Sequence, residues 1–134
     1  MKELSIGKYR GLQRISSERG VFSILALDHR QNLRKANPDF NDSKRLSDFK
    51  MEIIRWLSGY ATGTLLDPEV SAAQAIASNS LPGRSGLVVA LESTGYVGKA
   101  TARNGQFIPG WTVEKAKRMG ASAAKLLVYF HPES

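Results

Sequence analysis

The sequence predicts an α/β fold with parallel strands, and three observations carry that prediction. Short apolar runs alternate with stretches of helical periodicity along the 134 residues. Three of the runs end directly on an acid, at Asp28, Asp67 and Glu92. Turn-forming residues collect between the periodic segments, as at Asn37-Pro38 and from Asn79 to Gly86. Strand, helix, strand, helix, strand, helix, strand in that order calls for parallel strands joined by right-handed crossovers.

Taken in order, Leu4 to Ser17 mixes apolar and basic residues at helical spacing, with Leu4, Leu12 and Ile15 expected inward, and Gly20 ends this lead-in helix. Val21 to Leu27 is a continuous apolar run, the pattern of a strand buried on both faces. Leu46, Phe49, Ile53, Trp56 and Leu57 recur at intervals of three and four, which predicts a helix capped by Asp42 or Ser43. Thr62 to Leu66 is the second strand. Asp67-Pro68-Glu69 then has the composition of a helix start, with a capping carboxylate, proline in the first turn and a further acid at the positive end of the dipole. That helix runs through Val70 to Ala77. Leu87 to Leu91 is the third strand, Thr112 to Met119 a short helix, and Ala123 to Phe130 the fourth apolar run, interrupted by Lys125. The long glycine-bearing segment Ser93 to Gly110 is either a lid over the strand ends or a passive connector.

Composition narrows the function. An apolar content of 42% is that of a folded soluble domain. The apolar runs fall short of the roughly 18 residues a bilayer span needs, and the first residues lack the apolar region of a signal peptide, so a cytoplasmic setting with no membrane partner is expected. Cysteine is absent, which removes disulfides, thiolate nucleophiles and cysteine-ligated zinc together. The net charge of +7 is scattered and no nucleic-acid module surrounds it. It reads as a solvated surface, with attraction for small anionic substrates as the sharper alternative and no nucleic acid as partner. "GYVGKAT", Gly95 to Thr101, imitates a phosphate-binding loop but has two residues between its glycines where that motif needs four, and no helix follows.

In parallel α/β sheets chemistry collects at the carboxyl ends of the strands, where Asp28, Asp67 and Glu92 fall. A buried strand is a rigid support, so the segment "LALDHR" delivers Asp28, His29 and Arg30 to one place at little entropic cost. Arg30 pairing with Asp28 to close the strand end is the structural alternative for those two residues. Asp67 is accounted for by helix capping as well as by a role in the pocket, and Glu92 reads more readily as a solvated loop acid. Lys125 either snorkels from a strand edge or is a cation of the pocket.

Together, the stretches "FSILALDHR", "DFK", "LLDPE", "ALESTGY" and "GASAAKLLVYF" resemble, in order and spacing, the class I aldolases that cleave tagatose bisphosphate, and more distantly the sulfofructose phosphate aldolases. The resemblance implies a (β/α)8 TIM barrel, a fold that typically needs about 250 residues. It therefore implies the first half of such a barrel: a lead-in helix over residues 1–20 and, over residues 21–134, four parallel strands with their intervening helices. It further implies a small phosphorylated sugar as substrate, chemistry through a lysine Schiff base, and no metal or other cofactor. The Schiff-base lysine would lie beyond Ser134, so the chain alone is expected to be inactive. Lys125 and Asp28 would be its catalytic residues, with Lys125 as the neighbouring cation, not the nucleophile, and His29, Arg30 and Asp67 would bind substrate. Family members often carry glutamine at the position of His29, where imidazole can donate or accept in the same way. Half a barrel also leaves its outer strands open, so self-association or a homo-oligomer is expected, and a non-catalytic half-barrel that binds phosphorylated ligands is the competing reading.

Overall fold

The computed structural model describes residues 3–99 and 101–132. Its centre is one parallel sheet of four strands, β1 (Ile24–Leu27), β2 (Gly63–Leu66), β3 (Gly86–Ala90) and β4 (Ala123–Lys125), in the order β1-β2-β3-β4. That order decides the architecture. A doubly wound sheet reverses its strand order at a switch point, whereas a barrel adds each strand beside the last.

Among the described residues five α-helices accompany the strands: α1 (Ile6–Arg14), α2 (Gln31–Ala36), α3 (Ser43–Leu57), α4 (Ala72–Ala77) and α5 (Val113–Arg118). Among the described residues no helix is long and apolar enough to cross a membrane. The core lies between sheet and helices, where Leu66, Val89 and Leu91 meet Met51 and Ile54 of α3, Ala72 and Ala75 of α4, and Ala116 of α5. Alanines on the short helices let them approach the sheet closely. All of β3 is buried, as expected of an inner strand covered on both faces.

The same expectation fails for the outer strands. β1 is shorter than the apolar run Val21 to Leu27, and its residues alternate between exposed and half-buried. β4 stops at Lys125, and Leu126, Leu127, Val128 and Phe130 are exposed beyond it. Each pairs on one side only, so half of the backbone groups that would prolong it have no ladder to join.

Of the three residues in and around α1 expected inward, only Ile15, just past the helix end, is buried, while Leu4 and Leu12 are exposed. α1 docks through glycine instead. It lies across the amino ends of the strands, and a Cβ on Gly11 would sit 2.5 Å from the Ser122 carbonyl oxygen. α3 begins where predicted, with the Asp42 carboxylate accepting from the Lys44 N–H. Its inward face is not the predicted one: Leu46, Lys50, Met51 and Ile54 are buried, whereas Trp56 is 73% exposed and Phe49 leaves the core to stack on Phe40, centroids 4.9 Å apart.

Between β3 and α5 the chain makes an excursion closed by antiparallel bridges between Glu92 and Phe107 and between Val97 and Asn104. It is therefore a small two-stranded flap standing at the carboxyl end of the sheet.

Candidate active site

The strand register brings the site together. Ala26, Leu65, Val88 and Ala123 lie side by side across the sheet. Side chains alternate along a strand, so two residues further on Asp28, Asp67, Ala90 and Lys125 share the same face. Lys125 donates to Asp28 Oδ2 at 2.9 Å, joining the last strand to the first. On a flat sheet those strands would be three spacings, about 14 Å, apart. The contact therefore requires the sheet to curl about this face, as the wall of a barrel does.

Glu92 follows β3 and is 6% exposed, which corrects the expectation of a solvated loop acid. Its Oε1 accepts from the Leu127 N–H, and its Oε2 stands 4.0 Å from Lys125 Nζ. Among the described residues that buried Oε2 accepts no hydrogen bond, although it faces a cation. Such an atom is costly to leave without a donor, and a hydroxyl placed between Glu92 and Lys125 would satisfy it. His29 is half-exposed beside this cluster, with Nδ1 3.9 Å from Asp28 Oδ1.

Arg30 does not pair with Asp28. Its guanidinium is buried, pairs with Glu69 and donates to the Glu92 backbone carbonyl at 2.7 Å, so it ties the ends of β1, β2 and β3 without touching Asp28. The alternative of an Arg30–Asp28 pair is therefore replaced by Arg30–Glu69. That leaves the Asp28 carboxylate to Lys125.

Asp67 is fully buried, and both of its carboxylate oxygens are engaged. Oδ1 accepts from the N–H groups of Glu69 and Val70 at 3.0 and 2.8 Å, which is the predicted capping role, although the regular helix begins only at Ala72. Oδ2 accepts from Lys50 at 2.5 Å and from the Ser71 hydroxyl at 2.6 Å. Lys50, on the inner face of α3, is as buried as its partner. Burial pushes its ammonium below the ordinary lysine value, and the Asp67 charge opposes that shift without cancelling it. The sequence did hold a signal for Lys50, since Leu46, Lys50 and Ile54 recur every four residues and a lysine on that row needs an acid to meet.

A chain of polar contacts thus runs across the carboxyl ends of all four strands. Lys50 and Asp67 anchor the turn after β2, Glu69 of that turn holds Arg30, Arg30 holds the Glu92 carbonyl, and the Glu92 side chain holds the segment after Lys125. Among the described residues no group of three or more metal-ligating side chains comes together.

Comparison with known proteins decides the class. Residues 22–134 match the DeoC/LacD family aldolases. The chain belongs to that family. This DeoC/LacD aldolase chain is 32% identical over 132 residues to tagatose 1,6-diphosphate aldolase 1 of Enterococcus faecalis, an alignment covering 97% of this chain and 40% of the relative. It is 33% identical over 136 residues to tagatose 1,6-diphosphate aldolase of Listeria monocytogenes serotype 4a, covering 99% and 39%, and 30% identical over 131 residues to that of Lactococcus lactis, covering 95% and 39%. The chain spans about 40% of the length of these curated relatives. For a member of the DeoC/LacD aldolase family, four parallel strands in consecutive order are half of a (β/α)8 barrel, and the acids that end the strands fall at the end that forms the barrel mouth.

Proposed function

We propose that the chain is the N-terminal portion of a class I aldolase that cleaves a phosphorylated ketose, such as tagatose 1,6-bisphosphate, to dihydroxyacetone phosphate and an aldehyde. The observation that carries this reading is the contact of Lys125 with Asp28, with Glu92 beside it, on the inner face of the curled sheet. Lys125 Nζ is tied to Asp28 Oδ2 at 2.9 Å with Glu92 Oε2 4.0 Å away, so its geometry is that of a cation fixed by carboxylates and not of an amine turned toward a carbonyl. Lys125 therefore serves as a fixed cation. It lowers the pKa of a neighbouring amine, or holds a substrate oxygen, while a lysine outside residues 1–134 attacks the ketose carbonyl.

In that reaction the amine displaces the carbonyl oxygen as water, giving an iminium. The carbon-carbon bond beyond it then breaks as the hydroxyl on the leaving carbon gives up its proton. The bonding pair moves into the iminium, leaving an enamine, and the aldehyde departs. Asp28 and Glu92 would hydrogen-bond substrate hydroxyls, with His29 beside Asp28 on the solvent side; the contacts of Lys125 with both acids and of His29 with Asp28 support this. Arg30 and Asp67, engaged elsewhere, keep the strand ends in place. A cytoplasmic setting goes with a phosphorylated substrate.

Borohydride reduction in the presence of dihydroxyacetone phosphate tests the assignment. In the complete enzyme the label is expected on a lysine outside residues 1–134, and residues 1–134 alone are expected to take up none. Label on Lys125 would make it the nucleophile and overturn its role as the fixed cation.

A second reading, a half-barrel that assembles with copies of itself, draws on the open outer edges of β1 and β4 and on the exposed Val21, Phe22, Leu126, Val128 and Phe130 next to them. Size-exclusion chromatography at several concentrations should then show dimers or larger species, and a sharp monomer peak throughout would remove this reading.

A further inference from the structure

We infer that the flap between β3 and α5 carries a separate oxyanion site centred on Arg103, which receives the far phosphate or sulfonate of the substrate. Its role toward substrate rests on the aldolase reading; the anion site itself does not.

The flap is pinned at its base by the Glu92–Phe107 bridge and near its tip by the Val97–Asn104 bridge, with Gly98 at φ +97° beside the tight approach of the Ala102 carbonyl. Residues 93–110 include Lys99 and Arg103 and no aspartate or glutamate, so no carboxylate of the flap itself neutralises either cation. The Arg103 guanidinium lies 4.6 Å over the Tyr96 ring. Tyr96 in turn meets Tyr129 edge-on, centroids 5.4 Å apart, and the Tyr129 hydroxyl donates to the Gly95 carbonyl at 3.3 Å. Stacking occupies the face of a guanidinium and leaves its N–H edge, the edge that grips tetrahedral oxyanions in bidentate fashion, available to a ligand.

That edge has somewhere to point. A cavity of about 330 Å³ lies between the flap and the chain after β4, lined by Thr101, Arg103, Asn104, Tyr129 and His131. It falls at the small end of the range for small-ligand sites, roughly 300–1,000 Å³, and a hydroxyl and an amide stand beside the guanidinium as further donors. The cavity is joined to the candidate active site through the chain after β4. Tyr129 follows Lys125 by four residues, at most about 14 Å of chain, and the intervening Leu127 is bonded to Glu92. A phosphate or sulfonate carried at the far end of an extended sugar chain is the group this cavity would take.

The test uses residues 1–134 labelled with nitrogen-15 and titrated with inorganic phosphate, and separately with sulfate, at constant ionic strength. Saturable shifts are expected at Arg103, Asn104 and Tyr129, with affinity falling about tenfold or more in Arg103→Gln, the loss of one charge-assisted contact. Tyr96→Leu keeps the charge and removes the stack, and should weaken binding by a smaller factor. Arg103 and Tyr96 are both exposed, so neither change disturbs the core. No saturable shift, an unchanged affinity in Arg103→Gln, or shifts centred instead on the basic groove of Lys8, Arg14 and Lys117 would overturn the proposal. Tagatose 1,6-bisphosphate separates the two readings. If it moves Asp28 and Lys125 equally well in Arg103→Gln, the flap site falls and the aldolase reading stands. If phosphate binds at Arg103 while borohydride reduction of the complete enzyme with dihydroxyacetone phosphate labels no lysine, the flap site stands and the aldolase reading falls.

Discussion

Lys50 on α3 and Asp67 after β2 form an ion pair of 2.5 Å from which solvent is wholly excluded. The pair ranks as an anchor because everything downstream hangs on the turn it holds: Glu69, then Arg30, then the carbonyl of Glu92. Removing one partner of a buried pair strands the other charge, a loss of about 3–5 kcal/mol. Lys50→Met should therefore lower the urea midpoint of the chain by an amount near the lower figure, since Asp67 retains its bonds from Ser71, Glu69 and Val70. Combined with Asp67→Asn the loss should fall short of the sum by about 1 kcal/mol or more, the signature of coupled groups.

The same lysine sets a pH dependence. Its folded value lies below its unfolded one, so between the two the unfolded chain binds more protons, and stability from this group rises with pH across that window. The stability advantage of the parent chain over Lys50→Met should be flat well below the window and should widen as pH climbs toward 10.5, the ordinary lysine value. Urea titrations of both proteins at neutral and alkaline pH check this, and a difference that shrinks with rising pH would contradict it.

Arg30 and Glu92 can be separated by substitution. Arg30→Met removes the bonds to Glu69 and to the Glu92 carbonyl and should cost about 2–3 kcal/mol by thermal unfolding. Glu92→Gln keeps an acceptor for the Leu127 N–H and should cost under about 1 kcal/mol, whereas Glu92→Leu leaves that N–H without a partner and should cost about 2 kcal/mol.

Two glycines of α1 should respond in opposite directions. Gly11→Ala drives a methyl group into the Ser122 carbonyl and should destabilise by about 1–3 kcal/mol. Nothing lies within 4 Å of where a methyl group on Gly7 would sit, so Gly7→Ala should stabilise by about 0.5–1 kcal/mol through helix propensity alone. Denaturant midpoints of the two variants give the comparison directly.

The open edges make the last prediction. Val128→Lys and Phe130→Lys place charge on the exposed apolar segment after β4 and should reduce concentration-dependent association without lowering the melting temperature, because both side chains are exposed. Sedimentation velocity of parent and variants reads the change.

How far the sequence can lead depends on how local each feature is. Four apolar runs, three of them closed by an acid, are enough to place the parallel strands and to put Asp28 and Lys125 on one side of them. What the chain does at its borders is not legible. The runs at Val21 and after Lys125 have the composition of inner strands, yet exposure is set by neighbouring strands, and among the described residues β1 and β4 each pair on one side. α3 misleads by a different route: its apolar residues support two overlapping faces, and only the acid beyond β2 selects the face that carries Lys50. The burial of Glu92 leaves no local trace, because it comes from the chain after β4, 35 residues away.

Lys125 and Asp28 are separated by 97 positions. On a ribosome, where about 5–20 residues are added each second, the aspartate emerges about 5–20 s before its partner exists. Until then nothing electrostatic draws the first strand toward the fourth. A pause after Ala124 would therefore leave the Asp28 and Glu92 carboxylates without Lys125 and the Leu127 N–H, while Lys50–Asp67 and Arg30–Glu69 already hold the ends of the earlier strands.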